Sequence, residues 1–313
     1  MEWLDRVYGR VTIDDRDILE LIETETFGRL KGVRQAGPSA LAFPFKNVTR
    51  FEHSIGVYVL LARLGAPRRE QVAGLLHDIS HTAFSHAVDF VYSSVEQAHH
   101  ETLKPLMLER PDVATVLARM GLEPEMFFDD SIYPLLEQPL PALCADRVDY
   151  FLRDGMACGV VSVEFATRIL EHLSVVGSRM VLTSAQVGQE AARLFGIMNR
   201  EWWASDTEAF IYNEFADVLR EALRLGVIGG DELMSEDERI LDKLDRANSA
   251  LIDEKLRTIR RFDPAVLLNY RARVIPKERW LDPAIVVDGE VQTLSAFDEP
   301  VIQGSSVGGT GVR

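Results

Sequence analysis

The chain of 313 residues has only two cysteines, Cys144 and Cys158. That is too few for a disulfide framework and fits free thiols in a reducing compartment. No apolar run approaches the roughly eighteen residues that a membrane span needs, and Met1-Glu2-Trp3-Leu4-Asp5-Arg6 lacks a secretory pattern. A soluble, cytoplasmic protein with no membrane partner is expected. Positive charge is also short, with 34 Lys and Arg against 49 Asp and Glu and a formal net charge of -15. General nucleic-acid binding rests on spread cations that neutralise phosphates, so it is not expected here. The sequence has no internal repeat and no heptad run long enough for a coiled coil. What it does have is 47% hydrophobic residues, enough for a large globular core.

The cations are unevenly placed. Between Thr26 and Phe51 stand Arg29, Lys31, Arg34, Lys46 and Arg50 with no acidic residue among them, a segment suited either to an anionic small ligand or to a solvated basic face. Just after it, three of the seven histidines and an aspartate fall within Leu75 to His86. His77 and Asp78 offer one borderline and one hard ligand to a divalent transition metal. Adjacent helix positions diverge by roughly 100°, so other segments must close the shell. His53, in Arg50-Phe51-Glu52-His53-Ser54-Ile55-Gly56, and Asp146, in Asp146-Arg147-Val148-Asp149-Tyr150-Phe151, are the candidates. Two imidazoles and two carboxylates with room for water describe a catalytic centre for a single divalent ion. The sequence does not choose among Fe, Mn, Co, Ni, Zn and Mg.

The order His53, His77-Asp78, Asp146 resembles the HD superfamily of metal-dependent phosphohydrolases. The words Arg50 to Gly56, His77-Asp78-Ile79-Ser80-His81 with Phe84-Ser85-His86, and Asp146 to Asp154 resemble one branch, the deoxynucleoside triphosphate triphosphohydrolases, over about residues 8 to 160. The resemblance implies an α-helical HD-domain fold, a nucleotide substrate and release of nucleoside and triphosphate by attack at the α-phosphorus. It also implies that His81 and His86 face the phosphates and that Gln35 lies near the nucleoside. His100 and Glu101 match the His-Glu pair of a third family word, and such a pair can deliver a proton. Arg50 and Arg147 or Arg153 are expected to steady phosphate charge. Ser80 and Ala83 depart from glycine and proline common in the family.

Asp146, Tyr150 and Asp154 are spaced i, i+4, i+8 and share a helical stripe with steps of about 6 Å. A phosphate at the metal would bring its sugar level with Tyr150 and Asp154, where Asp154 can accept from a 3'-hydroxyl and the Tyr150 ring can bar a 2'-hydroxyl. The plainer alternatives are a core Tyr150 and an Asp154 paired with Arg153.

The expected fold is all-α with a small β-hairpin element near the C-terminus. An HD core spans 1–175, a helical lobe with the β element spans 176–302, and a glycine- and serine-rich tail spans 303–313 and is expected to be disordered. Breaks are expected at Pro105, Pro111, Gly121 and Pro124, a strand at Tyr270 to Ile275, and a hairpin around the Asp-Gly turn at 288–289. The aromatics near Trp202, Trp203, Phe210, Tyr212 and Phe215 read as core or as a subunit contact, leaving a homo-oligomer open. Two rival readings remain. One is an HD phosphatase acting on a nucleoside monophosphate or other small phosphoester, and the other is a nucleotide-binding sensor without turnover.

Overall fold

The computed structural model describes residues 1–91, 99–273 and 276–297, with only the backbone of 99–101. The chain opens on a hairpin of β1 (Glu2–Asp5) and β2 (Gly9–Thr12) in antiparallel register, Glu2 opposite Thr12. Its turn is closed by Asp5, whose Oδ1 accepts from the amides of Val7 and Tyr8. Asp15 caps α1 (Arg16–Glu23), which buries Ile18, Leu21 and Ile22, a capping role that the sequence predicts. Then come the short α2 (Glu25–Gly28) with a 3₁₀ turn to Gly32, and the single turn α3 (Ser39–Ala42).

A reciprocal cap of Thr49 and Glu52 starts α4 (Arg50–Arg63), which is buried nearly all round from His53 to Leu61. It packs against α5 (Arg68–Leu76) so closely that a Cβ on Gly74 would lie 2.4 Å from Leu61 Cδ1. After α6 (Ala87–Val91) comes α7 (His99–Leu108). Pro105 lies inside α7 rather than breaking it, because its own carbonyl still accepts from Glu109 and the ladder resumes beyond the missing donor. Pro111 does open α8 (Pro111–Arg119), at a position where no donor is needed.

The long helix α9 (Ala145–Ala157) and the Ser162-capped α10 (Val163–His172) complete the first half. Strands β3 (Leu173–Val176) and β4 (Arg179–Leu182) precede α11 (Ala185–Met198), which runs through a π-turn at Asn199–Trp203 before α12 (Asp206–Arg224). Helices α13 (Asp237–Asp245) and α14 (Ala250–Arg260) follow. Strands β5 (Ala284–Val287) and β6 (Glu290–Thr293), then α15 (Leu294–Phe297), end the described chain.

The architecture is mainly helical but not purely α. The expected C-terminal hairpin is real, yet β5 pairs in parallel with β4, Leu182 opposite Ile285, to make a four-stranded sheet β3-β4-β5-β6. The N-terminal hairpin is a second sheet. Residues 270–273 form no strand, and 274–275 lie outside the described residues, as does the tail expected to be disordered. Two apolar cores result. One joins α1, α4, α5, α9, α10 and α11 to the C-terminal strands, and the other joins Phe84 and α6 to α12, α13 and α14. No helix among the described residues is long and apolar enough to cross a membrane.

Candidate metal centre and substrate cavity

Three elements bring four side chains to one point. His53 comes from the first turn of α4, His77 and Asp78 from the residues that end α5, and Asp146 from the first turn of α9. His53 Nε2 lies 3.1 Å from His77 Nε2, 2.9 Å from Asp146 Oδ1 and 3.7 Å from Asp78 Oδ2. His77 Nε2 lies 3.5 Å from Asp146 Oδ1 and 3.5 Å from Asp78 Oδ1.

The tautomers decide what this cluster wants. His53 Nδ1 faces Asp149 Oδ1 at 2.8 Å and His77 Nδ1 faces the Gly74 carbonyl at 2.8 Å. Both partners only accept, so each Nδ1 carries its proton and the two Nε2 lone pairs meet each other. Two Nε2 atoms and two carboxylates converging in a buried place call for positive charge between them, which a bound cation supplies or, failing that, a second proton on His53 Nε2 facing Asp146. Donors bound at about 2.1 Å to one ion stand about 3 to 3.5 Å apart, which matches the spacings here. The residues fit a divalent ion, and the nitrogen and oxygen donors suit a borderline to hard one.

The electrostatics carry the same demand. Burial alone would lower the His53 pKa, but hydrogen bonds to Asp146 and Asp149 and the nearby carboxylate charges raise it to about 10. Against the opposing effect of burial, the two imidazoles hold Asp146 well below the usual carboxylate range, and Arg50 does the same for Asp78. A second grouping, Glu137, Cys144 and Asp146, also clusters. There burial pushes the Cys144 thiol up to about 12, and its sulfur accepts from Arg147, so it makes a poor ligand.

Behind the centre lies a carboxylate missed by sequence reading. Asp149 is fully buried and accepts at both oxygens, from His53 Nδ1 and Arg153 Nε at 2.8 Å each and from Tyr8 Oη and Arg153 Nη2 at 2.8 and 2.9 Å. Burial acts upward on it, but the Arg153 charge and these bonds hold it down to about 2. Arg153 continues to Asp5 of the N-terminal hairpin at 3.1 Å. Gly56 is required there, since a Cβ would lie 2.1 Å from Asp149 Oδ2. Arg153 is therefore not a phosphate ligand. It is buried behind His53, away from the cavity wall, and acts through Asp149.

A cavity of 910 Å³ opens in front of the centre. His81 and His86 line it, with His81 Nε2 3.2 Å from Asp78 Oδ1 and His86 Nδ1 2.9 Å from Asp89 Oδ2. Their loop passes through Phe84 and Ser85 at φ 59° and 50°, a left-handed conformation uncommon for such residues. It is clamped from several sides. Arg29 donates to the carbonyls of Ile79 and His81, Ser85 Oγ to the Arg34 carbonyl, Ala83 N to Leu233, and Phe84 N to Asp237 at 2.6 Å.

The stripe on α9 also lines the cavity, with Asp154 accepting from Gln35 Nε2 at 3.2 Å and Trp203 Nε1 at 3.1 Å. The Tyr150 ring stands edge-on to Trp203 at 5.2 Å. Arg50 lines the cavity but donates to Asp78 at 2.7 Å and Ser85 at 3.1 Å. Arg147 lines it too, yet donates to the carbonyls of Gln138 and Ala142, so its guanidinium chiefly holds the preceding loop. The side chains of His100 and Glu101 lie outside the described residues. The far wall comes from Trp202, Trp203 and Glu208 around the π-turn, and from Pro276 to Trp280. None of these was singled out as a site residue from the sequence.

The clamp at Asp237 has a pH signature. Burial, partly offset by bonds from the amides of Phe84 and Arg34, pushes this carboxyl up to about 6, above an ordinary value of about 3.9. The folded state then holds the proton more tightly than the unfolded one. The stabilisation is full below about pH 4 and is lost as pH rises through about 6, a change of about 3 kcal/mol. The stability of the wild type relative to Asp237→Asn, from denaturant melts between pH 4 and 7, should fall across that window. A flat difference would refute the assignment.

Residues 50–154 match the HD domain family. The uncharacterized protein YdhJ of Bacillus subtilis is 35% identical over 307 residues, 96% of this chain and 93% of its own. The metal-dependent phosphohydrolase cns2 of Cordyceps militaris is 31% identical over 299 residues, 92% of this chain and 86% of its own. A deoxynucleoside triphosphate triphosphohydrolase SAMHD1 homolog of Dictyostelium discoideum is 28% identical over 214 residues, 58% of this chain and 41% of that protein. The matched segment holds His53, His77, Asp78 and Asp146, and two relatives align over nearly the whole chain. The chain belongs to the HD-domain metal-dependent phosphohydrolases.

Proposed function

We propose that this protein hydrolyses nucleotide phosphoesters, with deoxynucleoside triphosphates as its substrates and deoxynucleoside and triphosphate as products. The observation that carries the reading is the run of Asp146, Tyr150 and Asp154 along the cavity wall, starting at the candidate metal ligands and backed by Gln35. Gln35 Oε1 is buried and has no hydrogen-bond partner among the described residues. Its amide orientation is fixed because Nε2 faces a carboxylate, so the oxygen calls for a donor such as a sugar hydroxyl.

In this reading His53, His77, Asp78 and Asp146 hold one divalent ion, of the Fe, Mn, Co, Ni, Zn or Mg class. A bound ion supplies Lewis-acid charge at a phosphoryl oxygen and makes water a better nucleophile for in-line attack. His81 and Arg50 steady the phosphate. His86, whose Nδ1 faces Asp89 Oδ2 at 2.9 Å, gives its proton to the departing oxygen, and His100 beside Glu101 is the alternative donor. Asp154 accepts from the 3'-hydroxyl with Gln35 beside it, and the Tyr150 ring fills the place of a 2'-hydroxyl. Residues 1–175 are the HD core with the ligands and 176–302 the second lobe, whose Trp202, Trp203, Glu208 and residues 276–280 wall the cavity.

A second reading, removal of one phosphate from a monophosphate, is favoured by charge. Of the cations lining the cavity, Lys46 is paired with Glu208, Arg50 with Asp78, and Arg147 is engaged by backbone carbonyls, which leaves Lys277 and Arg279, while Asp129, Asp130, Glu137 and Glu278 add acidic groups. Burial and the Asp146 charge push Glu137 up to about 7. Such a wall suits one phosphate better than three.

Metal-replete protein incubated with deoxy- and ribonucleoside triphosphates and monophosphates, with products separated by anion exchange, decides between them. Triphosphate released from deoxy substrates alone is the expected result. Phosphate from monophosphates would transfer the assignment to the second reading, and no product with any metal would leave a nucleotide-binding sensor.

A further inference from the structure

The cavity does not end at Asp154. It continues along α9 to Ala157 and Cys158, roughly 18 Å beyond the level of Asp146 at about 1.5 Å per residue. There it meets a polar group set in an aromatic wall. Lys46 and Glu208 are 6% and 5% exposed, line the cavity and form an ion pair, and Ser39 donates to the other Glu208 oxygen. Lys46 Nζ lies 5.1 Å from the Trp202 ring centroid and 5.4 Å from that of Phe43. Trp202 Nε1 is a buried donor with no partner among the described residues.

Hydrogen-bonding capacity remains at this end. An ionised carboxylate has about four acceptor sites, and among the described residues Glu208 uses one for Lys46 and one for Ser39. An ammonium has three donors, and Lys46 uses one. A second anionic group is disfavoured by Glu208 itself. What fits is a neutral planar ring that meets the nitrogen edge of Trp202, offering an acceptor to Lys46 and Trp202 Nε1 and a donor to Glu208.

We infer that the far end of the cavity is a base-recognition subsite that selects nucleobases with a lactam edge, a ring carbonyl beside a ring N–H. The inference rests on the nucleotide reading above and names its base class. Hypoxanthine, guanine, uracil and thymine carry that edge. Adenine and cytosine instead present an amino group beside an unprotonated ring nitrogen. With the ring held in one orientation by its sugar at Asp154, that nitrogen would set its lone pair against the Glu208 carboxylate, and the amino group would set its protons against Lys46. A site built to hydrogen-bond one pattern discriminates strongly against its reverse, because its own buried groups are then left unpaired.

The test uses matched nucleosides that cannot be hydrolysed at phosphorus. Binding of deoxyinosine against deoxyadenosine, and of deoxyuridine against deoxycytidine, is measured by calorimetry on the full-length, Mn²⁺-loaded protein. Each pair differs only in oxo for amino, and the lactam member should bind at least about tenfold tighter. Glu208→Gln should reduce that preference below about threefold. Glu208→Gln leaves Lys46 buried without its ion-pair partner, so Trp202→Phe serves as the second variant. It keeps an aromatic ring while removing the donor and part of the indole surface, and should weaken the lactam members more than the amino members. Equal binding within both pairs, tighter binding of the amino members, absence of nucleoside binding, or an unchanged preference in folded variants would overturn the subsite. Turnover of phosphoesters without base discrimination would sink this inference alone. Discrimination without turnover of any phosphoester would sink the hydrolase reading alone.

Discussion

Asp146→Ala is expected to lose the bound ion and about three orders of magnitude or more of turnover while keeping the fold. A divalent ion contributes several kcal/mol to stabilising charge in phosphoryl transfer, and each 1.36 kcal/mol is about tenfold in rate. The choice of residue matters for reading the result. Asp146 is 2.9 Å from His53 Nε2 and 3.5 Å from His77 Nε2, with a side chain 23% exposed and no Arg or Lys partner in a salt bridge among the described residues. Its removal leaves no buried cation behind. Asp78 is a worse probe, because Arg50 donates to it in a buried ion pair and would be stranded with only Ser85. Metal content by elemental analysis should fall from near one ion per chain to near zero, with circular dichroism unchanged. Retained metal with full turnover would show that Asp146 is not a ligand.

The clustering of His53, His77, Asp78 and Asp146 was legible because these residues sit in words that specify both chemistry and local structure. The reciprocal cap at Thr49 and Glu52 starts α4 just before His53, and the apolar run through Leu76 delivers His77 and Asp78 at the end of α5. The stripe on α9 follows from helical periodicity alone. The network behind His53 was not legible in full. The pairing of Asp149 with Arg153 is an i, i+4 contact that the sequence allows, but its direction, toward Asp5 and Tyr8, depends on where the N-terminal hairpin docks. Arg153 was misread for that reason, since a basic residue in a phosphohydrolase word looks like a phosphate ligand until burial is known. The four-stranded sheet was hidden because Leu182 and Ile285 meet only through tertiary pairing. Alternation at Tyr270 to Arg273 misled because an extended loop has the same period-two look as a strand.

Placement on the fold also explains how a short loop with backbone strain can serve the site. Phe84 and Ser85, both left-handed, are fixed by donors and acceptors from the Arg29–Arg34 segment and from Leu233 and Asp237 in the second half of the chain. Gly37 takes part by leaving space, since a Cβ there would lie 2.5 Å from the Phe84 carbonyl oxygen. The cavity face that carries His81 and His86 is thus held by both halves of the chain.

Asp149→Asn should separate the ligands from what aims them. Four hydrogen bonds converge on the two Asp149 oxygens, one of them from His53 Nδ1. That bond keeps the proton on Nδ1 and turns Nε2 toward the metal position, as carboxylates behind ligating imidazoles do. An amide can accept at one side only and would place its own N–H against a donor. It also removes the charge facing Arg153, which is fully buried and keeps only Asp5. Stability should fall by about 3–5 kcal/mol, the usual loss when one partner of a buried ion pair goes. Metal affinity of the protein that stays folded should fall about 10- to 100-fold. Tyr8→Phe removes one of the four bonds and leaves the charge, so it should cost only about 1 kcal/mol and leave metal affinity within threefold, roughly. Denaturant titration gives the first quantity and competition with a chromophoric chelator the second. Unchanged metal affinity in folded Asp149→Asn would mean that His53 is oriented by α4 packing alone. Equal losses in both variants would mean that the N-terminal hairpin, rather than the carboxylate, sets the geometry of the centre.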